Sequence, residues 1–172
     1  PEFSLADSTG TTRSLADAKG KFVVLEWFNK DCPFVRKQYD SGNMQRLQEA
    51  YTAKGVVWLT VVSSAPGKQG YVTPEEANAV IRERQAHQTA LVLDPDGTVG
   101  RRYGAKTTPH MFIINPAGTL IYAGAIDSIP SADPADIAGA ENYVRHALDE
   151  ALAGRPVSVS STASYGCSVK YD

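Results

Sequence analysis

The stretch Phe22-Val23-Val24-Leu25-Glu26-Trp27-Phe28-Asn29-Lys30-Asp31-Cys32-Pro33 decides how this chain folds. Its first seven residues are almost all apolar and β-prone, the pattern of a central strand buried on both faces. Asn29-Lys30-Asp31 ends the run. A helix is predicted from about Cys32, with Pro33 in the first position, where a missing N–H costs little. A thiol therefore sits where a buried strand hands over to a helix.

Working outward, Gly42 interrupts the helix, and Met44, Leu47 and Tyr51 carry an apolar stripe on to about Lys54, closed by Gly55. Val56 to Ser63 reads as a second buried strand. Thr73-Pro74-Glu75-Glu76 is a helix start with a Thr cap, and that helix is predicted to reach Gln85. Ala90 to Leu93 is a third strand, ended by the turn Asp94-Pro95-Asp96-Gly97, and a short helix covers Val99 to Tyr103. Met111 to Ile114 and Thr119 to Ala123 form a hairpin around Asn115-Pro116-Ala117-Gly118. A last helix is expected from Ile137 to Ala153. Before the first long strand, Pro1 to Asp7 is extended and Ser14 to Asp17 is a helical turn. The order predicts an α/β fold, a mixed central sheet flanked by helices on both faces. One domain is expected over residues 1–156, followed by a tail, 157–172, that begins as a Ser/Thr-rich flexible linker and carries Cys167.

The bulk properties exclude several classes. The chain has 172 residues, 42% hydrophobic and 21% charged, with a formal net charge of −2. Such a balance offers no basic surface for nucleic acid, and no apolar run is long enough to span a membrane as a helix. Two cysteines are too few for a disulfide scaffold. The chain starts at Pro1 without a Met, so a mature or trimmed terminus is expected, and an exported location is favoured over the cytoplasm.

The chemistry centres on Cys32. First-turn N–H groups and the helix dipole favour its thiolate, the reactive form. Lys30, Arg36 and Lys37 are expected to add positive potential, against Asp31, and the sulfur to be accessible at the helix mouth. Glu26 stands six residues earlier inside the apolar run. Burial should raise its pKa and suit it to proton exchange near neutrality, unless it faces solvent or pairs with a lysine. Thr108-Pro109 directly precedes an apolar strand and reads as a fixed turn. His87 and His146 read as surface residues. His110 follows Pro109, but Cys32, His110 and Cys167 match no zinc spacing, so no metal and no cofactor are expected.

These residues resemble the thioredoxin-like redoxins grouped with alkyl hydroperoxide reductase and thiol-specific antioxidant, over nearly the whole length. The resemblance implies a thioredoxin-like fold, a reactive Cys32 opening the first main helix, a buried acid at Glu26, and a cis-proline at Thr108-Pro109 beside the cysteine. It implies a substrate groove bordered by Thr108, Pro109, Asn29 and Pro33. Two departures stand out. The second cysteine of a Cys-x-x-Cys motif is Val35 here, and the Thr or Ser that peroxiredoxins carry three residues before the cysteine is Asn29.

Cys167 can restore a two-thiol cycle, as a resolving or bridging partner; it also reads as a free tail cysteine or one that pairs between molecules. The leading expectation is a thiol-disulfide oxidoreductase with Cys32 as nucleophile, acting on a disulfide-bearing protein or a small-molecule thiol and recharged by an external dithiol reductant. The alternatives are a peroxiredoxin-like thiol peroxidase and a non-catalytic binding module stapled by a Cys32–Cys167 bridge.

Overall fold

The computed structural model describes all residues, Pro1–Asp172. Five strands form the central sheet: β3 (Val23–Trp27), β4 (Val57–Val62), β5 (Ala90–Leu93), β7 (His110–Ile114) and β8 (Leu120–Gly124). Their spatial order is β5-β4-β3-β7-β8. The first three run parallel, and β7 lies antiparallel to β3 with Glu26 opposite Met111 and Trp27 opposite His110. This is the mixed sheet read from the sequence, and its arrangement is the thioredoxin-like fold.

The period-2 alternation of β3 assigns the two cores. Val23, Leu25 and Trp27 pack with Phe3, Leu59, Val61, Val92 and Phe112 on one face. Val24 and Phe28 pack with Val35, Leu47, Trp58, Met111 and Leu148 on the other. The helices α1 (Pro33–Asp40), α2 (Asn43–Thr52) and α5 (Tyr143–Leu152) supply that second core. The first is covered by α4 (Thr98–Tyr103) and by the hairpin of β1 (Ser4–Ala6) and β2 (Thr12–Ser14), which leads into a 3-10 turn at Ala16–Ala18. The helix α3 (Pro74–Arg84) starts on the expected capping box, with Thr73 and Glu76 bonded reciprocally.

Two expectations need correction. The last helix is shorter than the predicted 137–153: Pro134–Asp136 is a 3-10 turn, and α5 begins only at Tyr143, where the Asn142 side chain caps Arg145 N–H at 2.9 Å. The earlier residues pair instead, Asp127 bridging to Asn142 and Ser128 N–H bonding Glu141 O. The second correction concerns the tail, which is held rather than flexible. Ala123 N–H donates to Ser160 O and Thr162 N–H donates to Ala123 O beside β8, and Thr162 Oγ1 lies 2.7 Å from Tyr122 OH and accepts from Ala125 N–H. Further on, Ala65 N–H bonds Lys170 O, and the Tyr171 hydroxyl donates to Ala105 O at 2.8 Å. Serine and threonine signal a linker only while their hydroxyls and backbone face water; here the edge of β8 takes them up. No helix is long and apolar enough to cross a membrane.

Candidate active site

Cys32 is the N-cap residue of α1, with an extended backbone (φ −76°, ψ 125°) that turns β3 into the helix, and Pro33 follows at the first position. Its side chain lies in the α1-side core with no exposed surface. This overturns the expectation of an accessible sulfur. The sulfur is nevertheless at the proline turn, where its thiol donates to the Thr108 carbonyl oxygen 3.2 Å away. The Thr108–Pro109 peptide bond is cis.

What covers Cys32 is the tail. A short strand β6 (Thr107–Thr108) pairs antiparallel with β9 (Cys167–Ser168), Thr108 standing opposite Cys167. That register brings the Cys167 sulfur to 2.6 Å from that of Cys32, across 135 positions of sequence. Both are thiols, and Cys167 is half-buried. The residue before Cys167 has to be glycine. Gly166 has φ +137°, and a Cβ there would lie 2.1 Å from the Thr108 carbonyl oxygen.

The two thiols are shifted in opposite directions. Burial pushes the Cys32 thiol up, but hydrogen bonding from Cys167 and from the Val35 backbone N–H pulls harder, leaving it below the ordinary thiol value. Cys167 goes the other way, to about 11, through burial and then through the proton and charge of Cys32. Reactive thiolate character therefore gathers on the inner sulfur. The side-chain cations expected to help are engaged elsewhere. Lys30 pairs with Asp31 at 3.0 Å, Arg36 approaches the same carboxylate at 3.7 Å, and Lys37 turns away to Asp127.

Glu26 is fully buried and pairs with no lysine. Trp58 Nε1 (2.8 Å), Gln48 Nε2 (3.1 Å) and Thr60 Oγ1 (3.1 Å) donate to one carboxylate oxygen, and the Tyr39 hydroxyl donates to the other. Burial still outweighs these bonds and holds its pKa above the usual range. No hydrogen bond joins this cage to either sulfur. Asn29 is likewise buried: its amide donates to Gln69 at 3.3–3.4 Å, its oxygen accepts from Asp31 N–H, and Gly70 closes over it. It holds the 65–72 loop instead of bordering an open groove, whereas Pro33 is exposed. His110 stacks on Phe112 at 4.5 Å and accepts from Lys106 N–H. Burial, helped by Lys106, lowers its pKa to about 4, so it is neutral at physiological pH. No three His, Cys, Asp or Glu side chains converge as metal ligands.

Sequence reading placed Lys37 beside Cys32 as a source of positive potential and missed Asp127. Their buried pair meets the tail at Tyr165, two residues before Cys167. A lysine in the middle of an amphipathic helix carries no mark that separates it from a solvated one.

Residues 1–123 match the model of the AhpC/TSA family, and the chain belongs to that family. It is a thiol-redox protein by family and by its paired cysteines. The match spans Glu26, Cys32 and Pro109 and ends before Cys167. Among solved structures, an uncharacterised conserved protein from Geobacillus kaustophilus superposes with a TM-score of 0.84 at 27% identity, over 100% of this chain and 89% of that one. A hypothetical protein from Sinorhizobium meliloti 1021 gives 0.84 at 22% identity, over 100% and 92%. A proposed thiol:disulfide interchange protein DsbE from Chlorobium tepidum gives 0.57 at 27% identity, over 72% and 79%. No curated protein matches the sequence.

Proposed function

We propose that the chain is a thiol-disulfide oxidoreductase that cycles between a Cys32/Cys167 dithiol and a Cys32–Cys167 disulfide. The observation that carries this reading is the 2.6 Å approach of the two sulfurs beside Pro109. The disulfide bond length is about 2.05 Å, so the two sulfurs stand within about 0.6 Å of bonding distance. In the forward direction the Cys32 thiolate attacks a substrate disulfide and forms a mixed disulfide, releasing one substrate thiolate. Cys167, giving up its proton, attacks the Cys32 sulfur, forms the internal bridge and releases the second thiolate. The substrate gains two electrons, the protein loses two, and an external dithiol restores it.

Cys32 is sealed while the tail is docked, so meeting a substrate requires displacement of the segment around Cys167. Glu26 enters as a proton store at one remove from the sulfurs, and Thr108 and Pro109 as the wall against which the substrate disulfide is held. The test is peptide mapping under non-reducing conditions after exposure to oxidised glutathione. A Cys32–Cys167 linkage that returns to thiols with dithiothreitol is expected. Cys32→Ser should abolish insulin-disulfide reduction. Absence of the linkage in the wild type would reject the cycle.

Family membership favours a second reading, a thiol peroxidase using the same nucleophile. The amide of Asn29, at the position where peroxiredoxins place a hydroxyl, is committed to Gln69 and Asp31. Peroxide consumption by the pure protein with dithiothreitol separates the two.

A further inference from the structure

Two ionisable side chains lie buried where no step of the cycle uses them. The Lys37 side chain has no exposed surface, that of Asp127, in the segment after β8, has 2%, and their charged atoms stand 3.6 Å apart. Removing both from water is costly, and mutual attraction offsets that cost only when hydrogen bonds fill their remaining positions. Lys37 Nζ donates to Ile129 O at 2.9 Å, and Asp127 accepts from Gln38 Nε2 and Ile129 N–H, each at 3.2 Å. The remaining place on each is taken by one atom of the tail. The Tyr165 hydroxyl accepts from Lys37 Nζ at 3.1 Å and donates to Asp127 Oδ1. Its ring packs edge-on against Phe34 at 5.8 Å, with Lys37 Nζ 5.2 Å from the ring centre.

A phenol meets this socket's needs on both sides, since its oxygen accepts from a cation while its hydrogen is given to an anion. The socket belongs to α1 and the post-β8 segment, and it grips the tail two residues ahead of Cys167. We propose that Lys37 and Asp127 form a docking socket for the Tyr165 hydroxyl, and that Tyr165 is a positioning residue setting the effective concentration of the Cys167 sulfur at Cys32. This rests on the dithiol–disulfide cycle above. The reaction that reads it is exchange with glutathione. Cys32 attacks glutathione disulfide and expels one glutathione thiolate; Cys167 displaces the second; the two thiol protons pass to the released glutathione.

The experiment compares wild type, Tyr165→Phe and the exposed-site control Ser158→Ala in glutathione buffers, with the bridge quantified by alkylation and mass spectrometry. The Phe variant keeps the ring and loses one charge-assisted bond on each side, so its bridging constant should fall about tenfold or more. In the reduced protein, iodoacetamide should reach Cys32 faster by a similar factor. Ser158→Ala should change neither. A merely structural role would lower the melting temperature of Tyr165→Phe and leave both quantities at wild-type values, which would overturn the proposal. A bridge that forms equally in all three proteins rejects the socket alone. A wild type that forms no bridge rejects the cycle and the proposal together.

Discussion

Glu26 shows how one side chain can be placed against its own chemistry. Four neutral donors converge on a carboxylate that burial would rather keep protonated. A folded-state pKa above the unfolded one means that the folded protein holds a proton the unfolded chain has lost. Stability contributed by this group therefore falls as pH rises through the elevated folded value. Glu26→Ala should cost about 3 kcal/mol or more, because it strands several buried donors at once. In Glu26→Gln the pH-dependent part should vanish. Urea denaturation of the three proteins between pH 4 and pH 9, a span chosen around the ordinary carboxyl value of about 4.3, measures both effects. The position was legible as an acid inside an apolar strand. Its partners were not, because Tyr39, Gln48, Trp58 and Thr60 come from three other elements and converge only when α1, α2 and β4 close over β3.

Among the elements, the two-residue pairing of β6 with β9 has the largest consequence for its size. It depends on Gly166, whose missing Cβ lets the chain pass against the Thr108 carbonyl oxygen. Gly166→Ala is expected to weaken docking of the tail by about 1–3 kcal/mol, the usual cost of a disfavoured backbone conformation. The readout is local. Cys32 should alkylate faster than in the wild type, while far-ultraviolet circular dichroism stays unchanged because the pairing at stake is only two residues long. An unchanged alkylation rate would mean that the tail is held elsewhere. Element boundaries for β3, β4, β5, α3 and α4 were readable to within a residue or two, since each carries its own periodicity or cap. The start of α5 was misread because Ile137 and Ala140 continue a helical pattern that the Asn142 cap and the Asp127–Asn142 bridge interrupt. Competition between a local propensity and a long-range pair is invisible in a window of sequence.

For the whole molecule, the tail folds back so that the Cys167 sulfur lies against a fully buried Cys32. A bridge across the 135 positions separating the cysteines would restrict the unfolded chain. Chain entropy for a loop of that length predicts a stabilisation of about 5 kcal/mol. The oxidised protein should therefore denature at a higher urea concentration than the reduced one, and Cys167→Ser should be indifferent to oxidant. Equal midpoints for oxidised and reduced wild type would show that the bridge does not form.

Local patterns were enough to read the sheet, the strand-to-helix junction at Cys32, the acid inside an apolar strand and the turn at Pro109, because each is encoded by neighbours along the chain. The folded arrangement alone reveals that Cys32 is covered, that the Cys167 sulfur lies against it, and that Lys37 and Asp127 hold the phenol of Tyr165. These depend on where an irregular tail of serines, threonines and small residues comes to rest. That placement is fixed by a backbone edge and a few distant polar atoms, with no periodic pattern to announce it.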